Sequence, residues 1–205
     1  FTRAQWEDAV IRAPTIEDTP MTKLTDLAPL APEDWDEAIH NIRDQLGRPP
    51  NLHATIANHP DLLKAWMLFR NHMVHGVTVD RRDLEIVILR TAHRAKAEYE
   101  WFHHAQIALE YGLTQDQITQ IAQDTPGDWN DRESLLLAAA DECAAQHQIT
   151  AETRDGLLGH FNPQQMLDLM FTIGMYTTLA LMIKTLEVPL DDVSTGFLEE
   201  NLSDS

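Results

Sequence analysis

The sequence is poor in two features that many small proteins depend on, thiols and positive charge. Cys143 is the single cysteine, so one chain can form neither a disulfide, nor a CxxC pair, nor a thiolate-rich zinc site. Lysine and arginine total 15 against 33 acidic residues, which gives a formal net charge of -18. Because phosphate backbones and anionic lipids are bound through cations, this charge argues against nucleic-acid and membrane partners. The lone cysteine also fits a reducing cytoplasm.

Long hydrophobic runs are scarce as well. The most apolar stretch covers residues 169–183 between Asp168 and Lys184, and it is shorter than the roughly 20 residues that span a bilayer. We therefore expect a buried core helix or a subunit-interface helix there. The sequence contains no stretch typical of a signal peptide.

No segment alternates apolar and polar residues with the period of a strand, whereas helix-capping signals recur along the chain. We predict an all-α protein with a single domain, since the composition does not shift along the 205 residues. The expected organisation is an N-terminal arm over 1–31, a helical domain over 32–189 and an acidic tail over 190–205. Predicted helices cover 33–46, 51–75 and 97–111, and others begin after Thr114, Asn130, Thr150 and Asn162. A further helix, capped by either Thr78 or Asp80, carries an apolar stripe that reaches Ala95.

The densest group of functional side chains lies between residues 97 and 104. Glu100 precedes His103 by three residues and His104 by four, so its carboxylate can reach either imidazole within one helical turn. A carboxylate beside an imidazole fixes its tautomer and raises its basicity, as a general base near neutral pH requires. We therefore take His104 as a candidate base oriented by Glu100. On spacing alone, a solvated ion pair or a core histidine is the commoner outcome.

Glu85 favours the catalytic interpretation. It lies inside the apolar run 84–89, and a carboxylate in such surroundings either finds a partner or keeps its proton. A short break near Lys96 separates its helix from the next one. A hairpin at this break would bring Glu85 toward Glu100 and His104 as a second acid.

These segments resemble the carboxymuconolactone decarboxylase and alkylhydroperoxidase D superfamily. The resemblance is carried by RRDLEIVILR at 81–90, AEYEWFHH at 97–104 and YGLT at 111–114, and it extends through 131–133 and 168–189. It implies an AhpD-like helical fold that assembles as a homotrimer or as a hexamer of stacked trimers. The long apolar helix near the C-terminus gives a separate reason to expect subunit burial.

The peroxidase branch of this superfamily uses a glutamate, a CxxC pair and a following histidine as a proton relay. The resemblance puts Glu85 on the glutamate and His104 on the histidine, while Ala97 and Glu100 fall on the two cysteine positions. Thiol–disulfide chemistry needs an attacking and a resolving thiol, so we expect no dithiol peroxidase activity. Cys143 lies in a Leu- and Ala-rich segment and is expected to be a buried structural residue.

The decarboxylase branch uses no cofactor and acts on a small lactone that carries carboxylates. This resemblance implies a lyase or isomerase with His104, Glu100 and Glu85 as catalytic residues and His103 beside them. Tyr99 could line the substrate pocket. Arg90 and Arg94 are the nearest cations along the sequence and Arg94 is the candidate for holding a substrate carboxylate, although an ion pair is the commoner role for both.

Three alternatives remain open on the sequence alone. The same polar pocket would suit a non-catalytic homo-oligomer that binds a small molecule. A peroxidase-related protein with lost or residual antioxidant activity is a second alternative. A metal site at Glu100 and His103 is the third, although His72 and His75, which share that spacing, have no adjacent carboxylate, and we predict no metal and no cofactor. The remaining histidines, His53 among them, are expected to be structural or exposed.

Overall fold

The computed structural model describes residues 27–124 and 127–191. Every regular element within those ranges is helical, which confirms the all-α prediction. The α-helices in chain order are α1 His40–Leu46, α2 Asn51–Ile56, α3 Pro60–Asn71, α4 Arg81–Ala95, α5 Glu98–Glu110, α6 Gln115–Ile121, α7 Asp131–Gln146, α8 Ala151–Leu158 and α9 Pro163–Thr185. Two 3₁₀ turns, Pro32–Asp34 and Glu37–Ile39, precede α1, and a π-helical turn, His72–Gly76, follows α3.

Two predicted helices are divided in the structure. The predicted helix over 33–46 consists of the two 3₁₀ turns and α1, and the one over 51–75 is interrupted between α2 and α3. Pro60 explains the second division, because proline lacks a backbone N–H and clashes with the preceding turn of a helix. It occupies the first turn of α3 instead, where His59 caps the helix by accepting from the Leu62 amide.

The capping signals in the sequence correspond to real helix ends. Thr114, Asn130 and Asn162 each form a reciprocal capping box with the residue three positions later, at the starts of α6, α7 and α9. Asp80 caps α4 by accepting from the Arg82 amide. Gly112 follows α5 with a φ of 86°, a left-handed conformation that glycine adopts without a steric penalty.

Helix α4 is the centre of the domain. It packs against α5, α7 and α9, and every residue from 83 to 92 is buried. The chain leaves α4 through Lys96, whose left-handed backbone allows the Lys96 and Ala97 amides to donate to the last carbonyls of the helix. This turn folds α5 back against α4, and the predicted hairpin is therefore present.

Helix α9 is the long apolar helix that the sequence predicts. Its 23 residues make it long and apolar enough to cross a membrane by those two criteria alone. Within the domain it packs against α4, α5 and α8, as a core helix does. Its outer side exposes Leu167, Met170, Phe171 and Leu181.

The two ends of the described chain meet on α2. The Leu30 amide donates to the Ala54 carbonyl, and the Asn51 side chain donates to the carbonyls of Pro189 and Leu190. The Asp191 carboxylate accepts from the Asn51 amide at 2.8 Å. Most of the predicted arm and tail, residues 1–26 and 192–205, lies outside the described residues.

Candidate active site

Glu85 and His104 form a buried hydrogen-bonded pair between α4 and α5. His104 Nδ1 lies 2.8 Å from Glu85 Oε2, and the two residues are 4% and 0% exposed. Because a buried carboxylate needs a donor, the arrangement places the imidazole proton on Nδ1. That tautomer leaves Nε2 with a free lone pair, as a general base requires.

Glu100 faces the other ring nitrogen of His104. Its Oε2 lies 3.7 Å from Nε2, which is too long for a hydrogen bond but close enough for strong electrostatic coupling. The roles expected of Glu85 and Glu100 are therefore exchanged. Glu85, rather than Glu100, orients His104, because the hairpin brings Glu85 directly onto Nδ1 while Glu100 lies one turn below on the same helix.

Glu100 is buried, and this raises the pKa of its carboxyl group to about 7. The coupling to His104 opposes this effect, and the nearby Asp191 reinforces it. Its Oε1 has no hydrogen-bond partner among the described residues. Near neutral pH this group can therefore either donate or accept a proton.

Glu100 and His104 border a cavity of about 220 Å³. The cavity is lined by Pro50, Leu52, His53, Trp66, Arg70, Val74, Arg81, Tyr99, Glu100, His103, His104, Ile107, Met175, Tyr176 and Leu179. It is smaller than the roughly 300–1,000 Å³ of pockets that hold drug-sized ligands. Tyr176 holds the His104 ring from the side, with ring centroids 4.8 Å apart and planes at 87°.

Two arginines bring positive charge to this cavity, although neither was a candidate from the sequence. Arg81 lies 2.8 Å from Glu85 Oε1 through its guanidinium. It precedes Glu85 by four residues on α4, so the helical period was a usable signal. Arg70 comes from α3 and lines the same cavity, and no local pattern in the sequence indicates that.

His53 and Trp66 also line the cavity, and their polar atoms have no hydrogen-bond partners among the described residues. Both ring nitrogens of His53 and the indole Nε1 of Trp66 are buried without such a partner. Burial, together with the Arg70 charge, lowers the pKa of His53 to about 4, so the ring is neutral at physiological pH. Of the two roles expected for His53, structural or exposed, exposure does not apply, because the residue is 5% exposed.

Tyr99 lines the cavity beside Glu100, where the sequence suggested a pocket-lining role for it. Its hydroxyl donates to the Asp191 carboxylate, so the segment after α9 is tied to the cavity wall. Burial and this contact raise the pKa of Tyr99 well above its usual value. His103 lines the cavity too, but its side chain is exposed.

Residues 60–142, which include α4, α5 and both glutamates of the cluster, match the carboxymuconolactone decarboxylase family. Over those residues, which make up less than half of the chain, the sequence is similar to that family. No curated protein matches this chain in sequence.

Several solved structures share the fold of this chain. A variant of the debrominase Bmp8 in complex with 2,3,4-tribromopyrrole has a TM-score of 0.70 at 18% identity, over 89% of this chain and 99% of that one. A peroxidase-related protein from Silicibacter sp. TM1040 has 0.68 at 17% identity, over 90% and 96%. A peroxidase-related protein from Ralstonia eutropha JMP134 with an alkylhydroperoxidase AhpD core has 0.65 at 20% identity, over 91% and 97%. These likenesses concern the fold alone.

Cys143 is the only cysteine of the sequence. It lines a different cavity, of about 630 Å³, together with Arg94 and Arg154. The cysteine is partly buried rather than fully buried as expected, and burial raises its pKa. A thiol with a raised pKa is poorly nucleophilic, and this one does not line the cavity of the Glu85–His104 pair.

Arg94 does not line the cavity of the candidate site, contrary to expectation. It pairs with Asp141 at 2.7 Å and with Asp124 at 3.0 Å, and it lines other cavities. Arg90 is also bound to Asp141, at 2.6 Å. The helical period explains both corrections, because nine residues rotate Arg94 about 180° away from Glu85 on α4, and five rotate Arg90 about 140°.

No group of three His, Cys, Asp or Glu side chains within residues 27–124 and 127–191 is arranged to hold a metal ion. Glu100 and His103 therefore have no third ligand within those ranges. A helical-bundle metal centre uses several carboxylates and histidines projecting inward, whereas His103 is exposed.

The raised pKa of Glu100 predicts an unusual dependence of stability on pH. The folded state holds this proton up to about pH 7, whereas the unfolded chain loses it near 4.5. The free energy of unfolding should therefore fall as pH rises between those values, and the loss should be complete above pH 7. E100Q removes the buried charge and should be more stable than wild type at pH 8 by about 1–3 kcal/mol. Urea unfolding at pH 5 and pH 8 measures the difference.

The matched control is E98Q, which changes an exposed glutamate on the same helix. It should leave the difference between pH 5 and pH 8 unchanged, and E100Q should resemble wild type at pH 5. An E100Q protein less stable than wild type at pH 8 would show that the Glu100 charge is well compensated.

Proposed function

We propose that this protein is a cofactor-free acid–base enzyme, a lyase or isomerase that acts on a small carboxylated or lactone substrate. The observation that carries the proposal is the buried Glu85–His104 pair, with Nε2 and Glu100 both turned to a small cavity. A group that titrates near neutral pH lies next to an oriented imidazole. These are the two components that proton transfer at carbon requires.

In the proposed reaction, His104 Nε2 removes a proton from a carbon adjacent to a carbonyl group. The electron pair of the broken C–H bond moves into an enolate, and protonated Glu100 stabilises its oxygen by donating a hydrogen bond. Returning the proton to another carbon completes an isomerisation. In a β-keto acid the C–C bond to the carboxylate breaks instead, and carbon dioxide leaves. Protonated His104 or Glu100 then donates a proton to the enolate carbon.

The proposal can be tested before the substrate is identified, because proton transfer at carbon exchanges hydrogen with solvent. A panel of five-membered lactones, enoic acids and β-keto acids in D₂O would be followed by proton NMR. We expect one class to lose its α-proton signal or to release carbon dioxide with wild-type protein. If no class reacts, the acid–base proposal fails.

A non-catalytic small-molecule-binding protein is the second candidate. It is favoured by the unpartnered polar atoms of the cavity, since those atoms serve binding with or without turnover. Compounds that raise the melting temperature but are recovered unchanged would support this alternative.

Peroxide reduction through a thiol is expected to be absent. The sequence offers Cys143 alone, its pKa is raised, and a CxxC pair is lacking. In the presence of dithiothreitol, wild type and C143S should consume hydrogen peroxide no faster than the same buffer without protein. Reductant-dependent consumption that survives C143S would contradict the acid–base assignment, and consumption that C143S abolishes would give the thiol a role.

We further propose that the protein is a cytoplasmic homotrimer or homohexamer. The exposed apolar residues on the outer side of α9 are the natural contact for a second copy. Sedimentation velocity would distinguish a monomer from either assembly.

A further inference from the structure

The cavity has a second set of polar groups besides the Glu85–His104 cluster, and these come from α2 and α3. Trp66 and Arg70 are four residues apart on α3, so they share one face of that helix. His53 reaches the same cavity from α2. The acid–base chemistry proposed above uses none of these three side chains.

Two members of this set bury polar atoms that the protein does not satisfy. Both His53 nitrogens and Trp66 Nε1 have no hydrogen-bond partner within residues 27–124 and 127–191. A buried donor or acceptor without a partner loses its hydration and gains no hydrogen bond in return. Since both residues line one cavity, a ligand that supplies the missing partners accounts for these atoms together.

Arg70 supplies the charge of this set. Its one side-chain hydrogen bond goes to the amide oxygen of Asn71 at 3.3 Å, and within the described ranges no carboxylate pairs with it. The other cavity cation, Arg81, is already neutralised by Glu85. Within the described ranges, Arg70 is therefore the cavity cation that remains for pairing with one further anionic group.

A second anionic group would meet unfavourable charges. Glu100 lines the cavity, and the Asp191 carboxylate accepts from the Tyr99 hydroxyl and acts electrostatically on His53 and Glu100. Asp191 repels the second carboxylate of a dianion, and so does Glu100 once it is ionised. The volume of about 220 Å³ also limits the ligand to a small ring or a short chain.

We propose that Arg70, Trp66 and His53 form a binding subsite for a single carboxylate, so that the cavity takes small monocarboxylates and discriminates against dicarboxylates. The inference deepens the proposed function, on which it rests, by naming the substrate class of the same cavity. Arg70 binds the carboxylate as an ion pair, and the indole N–H of Trp66 donates to it. Neutral His53 donates from one nitrogen and accepts at the other, which suits a hydroxyl or carbonyl group beside the carboxylate.

Isothermal titration calorimetry with three related probes tests the subsite. The probes are 2-furoate, its neutral amide 2-furamide, and 2,5-furandicarboxylate, all at pH 6, below the pKa of about 7 of Glu100. We expect wild type to bind 2-furoate and to bind each of the other two at least about tenfold more weakly. R70Q should weaken 2-furoate binding by at least about tenfold, whereas R154Q, which changes an arginine outside this cavity, should not alter it.

W66F provides a second route in case R70Q does not fold, because it removes the indole donor and keeps an aromatic ring. We expect it to weaken 2-furoate binding by several-fold. Dicarboxylate binding equal to that of 2-furoate would overturn the proposal, and so would unchanged binding in both R70Q and W66F, or no binding of 2-furoate by wild type at millimolar concentration.

H104Q separates this inference from the proposed function. If H104Q binds 2-furoate as wild type does, the subsite stands even when no substrate of the panel is turned over. If turnover is found and does not depend on Arg70, the acid–base function stands and the subsite is wrong.

Discussion

H104Q should slow proton transfer by a factor of about 10²–10⁴, the usual contribution of a positioned general base. Glutamine keeps a polar side chain of similar size but has no basic lone pair to replace His104 Nε2. E85Q should cause a smaller loss, because an amide oxygen can still accept from Nδ1 but no longer stabilises the imidazolium. The rate of deuterium incorporation into the substrate identified in D₂O measures both effects.

H160Q is the matched control, since it alters a histidine outside this cavity. Circular dichroism should show unchanged helix content in H104Q and H160Q. Wild-type exchange rates in both H104Q and E85Q would exclude the pair from the chemistry and leave ligand binding as the function of the cavity.

R90M should destabilise the folded protein strongly, by about 3–5 kcal/mol. The Arg90 side chain is 0% exposed and binds both oxygens of Asp141. It also donates to the carbonyls of Ile121 and Gln123, so it ties α4 to α7 and to the end of α6. Methionine fills most of the volume but leaves the Ile121 and Gln123 carbonyls without this donor and leaves Asp141 with Arg94 alone. The free energy of unfolding in urea measures the loss.

R94M is the control for the same network. Arg94 also binds Asp141, but its side chain is 28% exposed, so its removal should cost about 1 kcal/mol or less. Equal stabilities of R90M and R94M would show that burial does not strengthen the Arg90 contacts.

Much of the fold was predictable because short local sequence patterns specify where helices begin and end. The helices expected to begin after Thr114, Asn130 and Asn162 do so, and the last of them is the long apolar helix. The interruption before α3 was missed, although Pro60 is visible in the sequence. A proline is tolerated in the first turn of a helix, so a helix can begin at Pro60. The clash of its ring with the preceding turn is what separates α2 from α3.

The contacts of the candidate site were predictable where both residues lie on one helix, and less so where they lie on different helices. Arg81 and Glu85 share a face of α4 by the helical period, as do Glu100 and His104 on α5. The same period would have removed Arg94 from the candidates. His53 and Arg70 could not be found in this way, because they lie on other helices and no local spacing relates those helices to α4.

The sequence by itself determined the helical class, the absence of a thiol pair and the presence of an imidazole one helical turn from the Glu100 carboxylate. Those properties depend on composition and on contacts within a few residues, which backbone geometry fixes locally. Only the tertiary structure decided that Glu85 takes Nδ1 of His104 and that Arg70, Trp66 and His53 converge on the same cavity. The left-handed turn at Lys96 and the packing of α3 and α5 around the buried α4 set those distances, because side chains far apart in sequence meet only where whole helices cross.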